Sequence, residues 1–176
     1  MTQTQPAAQR PGEQVRHREH TWSDPAPGVA RLPDLAGIDV LRGMLDGALP
    51  APPVMSTLAF EAEEFEVGRV VFSMLPQEFH LNPLGGVHGG VLATLLDSAI
   101  GCAVHSVLPQ GVGYTSVDLN TTFTRPVTVG TGRITATGTV LNLGRRTALG
   151  QAQLTDATGR LLAHATSTCL LFPATG

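Results

Sequence analysis

The chain has 176 residues, 42% of them hydrophobic and 14% charged, with a formal net charge of -3. That length suits one folded domain with an appendage, and the charge balance speaks against a nucleic-acid or anionic-membrane surface. All eleven basic residues are arginine, which excludes a side-chain Schiff base, a pyridoxal-phosphate lysine and a Walker lysine. In chain order, residues 1–30 are rich in Gln, Pro and charge and lack periodicity, so they read as a mobile N-terminal tail without the apolar core of a signal peptide. Arg16, His17, Arg18 and His20 cluster there, but Glu13 and Glu19 interrupt them, and no basic patch or metal site is read from the group. Residues 31–53 read as an N-terminal helix and a Pro-rich linker. Leu35, Ile38, Leu41, Leu45 and Leu49 recur at helical spacing, with Asp34 as the expected N-cap and Pro50, Pro52 and Pro53 as the stop.

Residues 54–173 form the expected domain. Thr57–Val67 and Arg69–Leu75 read as strands around Gly68, and Pro76–Gly86 as loop. Val87–Leu108 reads as one long apolar helix, too interrupted by Asp97 and His105 to be a membrane span. Residues 114–125, 131–143, 146–155 and 160–172 follow as four Thr/Val/Leu-rich strands, expected in meander order. The class is α+β: an antiparallel sheet with a single helix packed on it. Cys102 and Cys169 sit in apolar stretches without CxxC spacing and read as buried thiols of a reduced, cytoplasmic compartment.

Asp97 is the strongest functional signal. Between Glu78 and Asp118 it is the only formally charged residue, in the middle of the most apolar stretch. A carboxylate there is costly unless hydrogen-bonded, paired or used. Its helical neighbours Gly90, Ala93, Thr94, Ile100, Gly101 and Val104 are mostly small, so a ligand or another backbone can approach closely. The bland alternative, a carboxylate bonded to a neighbouring hydroxyl or backbone group, stays open at this point.

The second signal is the segment Asn82-Pro-Leu-Gly-Gly-Val-His-Gly-Gly90, which runs straight into that helix. Unpaired N–H groups and the positive dipole end of a helix start suit an anion or oxyanion, and glycines let it come close. A dinucleotide turn would be followed by a βαβ unit, which the meander-like strands here do not provide. Gly89 and Asp97 lie eight residues apart, about 12 Å along one helix at 1.5 Å per residue. An oxyanion donor and a base must both approach the same reacting centre to about 3 Å. If both act, two antiparallel copies of the helix must supply one each, and the enzyme is at least a dimer.

The strings NPLGGVHGGVLATLLDSAIG, GYTSVDLNTTFTRPV and GRRTALGQAQLTDATGRLLAHAT resemble the PaaI-like branch of the hotdog-fold acyl-CoA thioesterases over about residues 55–172. The resemblance implies a long central helix wrapped by a six-stranded antiparallel sheet, here with an extra N-terminal helix. It also implies paired subunits, commonly a dimer of dimers, and hydrolysis of acyl-CoA without metal or other cofactor. On that resemblance, the Gly89 N–H polarises the thioester carbonyl, His88 orients the thioester or its loop, and Asp97 of the facing subunit is base or nucleophile. Asn82 matches the loop's polar residue, and Ser116 the strand hydroxyl that helps place water, with Thr115 adjacent to it. Gly90 and Thr115 join the substrate-binding set, and Arg125, Arg145 and Arg146 are candidates for the CoA phosphates, against ordinary solvated turn arginines. The long apolar helix and the Leu/Phe-bearing strands are suited to line an acyl pocket. GxSxG is absent, so the serine-hydrolase reading falls away, and His80, His105 and His164 are expected to be structural. Two other readings stay open: a hotdog hydratase or dehydratase, whose His-x-Pro-Gly type loop is missing, and a non-catalytic acyl-CoA binding module.

Overall fold

A computed structural model describes residues 14–174; the first thirteen residues of the expected tail lie outside that range. The described part of the tail makes specific contacts. Arg16 pairs with Glu78 at 3.2 Å, Arg18 donates to the carbonyls of Thr57 and Ser56 at 2.7 and 2.6 Å, and a short helix α1 spans Ala26–Val29. The N-terminal helix expected over 35–49 is present as α2, Gly37–Leu45, and Asp34 does not cap it. Asp34 ends a 3-10 turn, Leu32–Asp34, and Leu35 is extended. The start is set instead by the Gly37 N–H donating to the Leu108 carbonyl at 3.0 Å; a Cβ on Gly37 would stand 1.8 Å from the His105 oxygen. Val40 and Leu41 turn inward from α2. Thr57 and Leu58, expected in a strand, instead close a helix α3, Pro53–Leu58, which ends on Ala59 in the left-handed region at φ +50°.

The strands are β1 (Phe60–Glu66), β2 (Arg69–Met74), β3 (Val112–Ser116), β4 (Asn120–Phe123), β5 (Ile134–Leu143), β6 (Thr147–Asp156) and β7 (Leu161–Pro173). The helix expected over 87–108 is α4, Gly89–Ser106. The sheet is antiparallel throughout, in the order β1-β2-β5-β6-β7-β3, with β4 also paired to β7. The 114–125 run is two strands because Asp118 interrupts it. The Asp118 carboxylate accepts the Thr168 N–H at 2.9 Å, and the Ser167 hydroxyl donates to the Asp118 carbonyl at 2.6 Å, which closes the ladder locally. The meander expectation also fails at this step. Of the strands after α4, only β5, β6 and β7 follow one another as hairpins, while β3 and β4 lie at the far edge beside β7 and β5 returns across the sheet to pair with β2.

Alternation decides which face is covered. In β6, Ala148, Gly150, Ala152, Leu154 and Asp156 are buried and the residues between them are not. Leu92, Leu95, Leu96, Ala99, Ile100 and Ala103 of α4 pack into the curled sheet as the centre of the core. Each large side chain among them contributes roughly 1.5–3 kcal/mol by burial. Gly138 permits this close seating: a Cβ there would stand 2.1 Å from the Ala99 carbonyl oxygen.

Candidate active site

Two groups of expected site residues come together in the chain. The first joins α4 to β3. Ser116 is exposed at the end of β3, and its hydroxyl donates to Asp97 Oδ1 at 3.1 Å. Asp97 is half-buried, so it is neither locked in the core nor free on the surface. Both residues line a cavity of about 220 Å³. Phe60 and Phe72 of β1 and β2, Gly101 and Cys102 one turn beyond Asp97, and Tyr114 of β3 form its apolar side. Thr115, between Tyr114 and Ser116, alternates to the outer face and is exposed.

The second group is the glycine-rich turn. Asn82 folds it: its N–H donates to the Gly86 carbonyl at 2.7 Å, and its side-chain oxygen accepts from the N–H groups of Leu84 at 2.8 Å and Gly86 at 3.3 Å. The His88 N–H is tied to the His80 carbonyl at 2.8 Å. His88 itself is the N-cap of α4, its Nδ1 accepting the Gly90 N–H at 2.9 Å. Gly90 suits this, because a Cβ would stand 3.0 Å from that ring nitrogen. With the Gly90 N–H taken by the cap, the Gly89 N–H has no acceptor among the described residues. It is a free donor at the positive end of an 18-residue helix.

The two groups stay apart within one chain, separated by about 12 Å of helix. The arginines are apart as well. Arg125 donates to the Leu161 carbonyl at 2.6 Å, close to the segment where Val127 accepts the Val87 N–H. Arg145 and Arg146 are exposed in the β5–β6 turn, and Arg146 lies two residues from Ala148, which shares a row across the sheet with Cys169 and Ser116.

The thiols are not nucleophiles. Burial, with the Asp97 carboxylate near it, pushes Cys102 up to about 12, and burial also raises Cys169; a protonated thiol is a poor attacker. The Tyr114 phenol, half-buried and packed against α4, is raised well above its ordinary value by desolvation and stays neutral. His80 is buried with both ring nitrogens used, Nε2–H donating to the Leu58 carbonyl at 2.8 Å and Nδ1 accepting the Gln77 N–H at 3.0 Å. Burial lowers its pKa, so it is a neutral structural residue, as expected.

The site also has parts that sequence reasoning missed. Pro52, Val54 and Met55, in and just before α3, form the wall of the Asp97 cavity contributed by the N-terminal segment. Tyr114 of β3 is a further lining residue of this kind. A short apolar segment about 40 residues from Asp97 in the chain carries no periodic signal that would bring it there.

One curled antiparallel sheet around one long helix defines a hotdog-type protein, with a carboxylate at mid-helix and a free N–H at the helix start as its candidate site. Residues 84–163 match the family model of the thioesterase superfamily. Acyl-coenzyme A thioesterase 13 of Homo sapiens is 37% identical over 98 residues, which is 55% of this chain and 69% of that protein. A phenylacetic acid degradation-related protein of Ralstonia eutropha superposes with a TM-score of 0.67 at 29% identity, over 73% of this chain and 97% of that one. A mutant of the phenylacetic acid degradation protein PaaI of Thermus thermophilus gives a TM-score of 0.62 at 28% identity, over 68% and 98%. The chain belongs to the thioesterase superfamily, in its PaaI-like hotdog branch, and is a thioester hydrolase.

Proposed function

We propose that the chain hydrolyses acyl-CoA thioesters to the free acid and CoA, at sites shared between two subunits. The observation that carries this reading is that the Asp97 carboxylate, besides its bond to the Ser116 hydroxyl, is only half-buried and lines an apolar cavity. It gives an oriented carboxylate beside a space suited to an acyl group. Asp97 takes a proton from a water molecule, and the oxygen attacks the thioester carbonyl carbon. The resulting oxyanion is held by the free N–H of Gly89 of the partner subunit. Collapse of the intermediate breaks the C–S bond and releases the CoA thiolate, which takes up the proton. Asn82 and His88 act on the turn and the helix cap, and so aim that N–H. Ser116 holds the carboxylate, with Gly90 beside the substrate path; Thr115, expected in the substrate-binding set, is left out because it does not line the cavity. Arg125, Arg145 and Arg146 are the cations for the CoA phosphates. The acyl-CoA thioesterase relative, at 37% identity, supports the choice of thioester.

The test is thiol release over a panel of acyl-CoAs by the wild type and by Asp97→Asn. Loss of a general base costs about 10²-fold or more in kcat; a change within about threefold would remove Asp97 from the chemistry. A monomer working at the full rate would remove the shared site.

A further inference from the structure

The Asp97 cavity does not end at β1 and β2. A smaller apolar space of about 40 Å³ lies beyond it under α2, lined by Leu41, Met44 and Phe65 among others. Pro52, Met55, Phe72 and Cys102 line both spaces. Three of these four are fixed. Pro52 is held by its ring, and Cys102 by the helix. Phe72 is buried edge-on against Phe60 and Phe65, with ring centroids 5.5 and 5.6 Å away. Met55 alone is unbranched and adaptable, and it is only half-buried. It also lines two outer clefts on the other faces of α3, so its side chain is the removable part of the partition.

We infer that Met55 is the acyl-length gauge of this enzyme: it closes the Asp97 cavity against the space under α2 and stops the acyl chain there. The inference rests on the Asp97 site being the thioester site. A cavity of about 220 Å³ is below the roughly 300–1,000 Å³ of pockets for drug-sized ligands, so short and medium acyl groups fit and long ones meet Met55. The gauge comes from outside residues 84–163, which carry the family match, and its carrier helix is held in place. The Arg18 guanidinium donates to the last carbonyls of α3 and stacks 3.9 Å from the Phe79 ring centre. The helix ends on Ala59 in a left-handed conformation that alanine adopts only at a cost.

The experiment compares kcat/KM for straight-chain acyl-CoAs from acetyl to palmitoyl on the full-length wild type, Met55→Ala and Met55→Phe. The readout is the ratio of dodecanoyl- to hexanoyl-CoA on one preparation. That ratio does not depend on the folded fraction, so a destabilised variant still reports. Each newly buried methylene changes kcat/KM about fourfold, so Met55→Ala raises the ratio about tenfold or more and Met55→Phe lowers it. A ratio within about twofold of wild type in both variants overturns the gauge while leaving the Asp97 site standing. If the wild type hydrolyses nothing in the panel, the site reading falls and the gauge with it.

Discussion

Ser116 holds Asp97. The 3.1 Å bond from its hydroxyl to Oδ1 spans β3 and α4, 19 positions apart in the chain, and fixes which way the carboxylate faces. Ser116→Ala removes the donor and leaves the carboxylate in place. Its kcat should fall about tenfold, the equivalent of one hydrogen bond to a charged group, with KM little changed. Ser116→Thr keeps a hydroxyl and should recover most of the loss. Steady-state kinetics on both variants checks this, and a Thr variant as slow as the Ala variant would argue for packing instead of orientation.

Asp97 was legible as a single charge inside a run of apolar residues, although the bland alternative left open there, a bond to a neighbouring hydroxyl, is also present in Ser116; the glycine turn was legible because its residue types match what a helix start needs. The Thr/Val/Leu-rich runs of β6 and β7 were likewise legible as strands. The neighbour order of the strands was not legible: β3 beside β7 and β5 beside β2 depend on contacts far apart in sequence. Asp118 broke a strand through a side-chain bond that periodicity does not register. Pro53–Leu58 is too short for a helical pattern, and its arrival at the Asp97 cavity is a matter of packing alone. The separation of about 12 Å between Gly89 and Asp97 followed from helix geometry and needed no coordinates.

Gly138→Ala should be among the most damaging single-methyl changes in the chain. The added Cβ would lie 2.1 Å from the Ala99 carbonyl oxygen and 2.3 Å from its carbon, both helix backbone. α4 must move off β5 to make room, at an expected cost of about 3 kcal/mol or more. Urea unfolding measures it, and a loss under about 1 kcal/mol would mean the helix rides easily on the sheet.

Asp156 ties the β6–β7 turn. Its carboxylate accepts from the Thr158 hydroxyl at 2.6 Å, the Thr158 and Arg160 N–H groups at 2.9 and 3.1 Å, and the Arg160 guanidinium at 2.9 Å. The Thr158 hydroxyl first, then the other donors, hold it down to about 2 from an ordinary 3.8. With the folded-state value depressed, the stabilisation is complete above about pH 4 and disappears as pH falls through about 2. Asp156→Asn should therefore melt lower than wild type at neutral pH, and the two melting temperatures should converge between about pH 4 and pH 2. A gap that stays constant over that range would show the charge plays no part.

Mixing two dead variants tests whether sites are shared. Gly89→Pro deletes the free N–H and little else: it is the first helical position, which proline favours, and His88 at φ -61° and ψ 132° already has the backbone that precedes proline. The exposed Phe123 ring, 3.1 Å from the added Cβ, must yield by a few tenths of an ångström. Alone, Gly89→Pro should lose about 10²–10³ in kcat, as removal of an oxyanion donor does. Unfolded, refolded and randomly paired with Asp97→Asn, it should recover about a quarter of wild-type activity, because half the dimers are mixed and each mixed dimer has one intact site. A site built within one chain predicts no recovery at all.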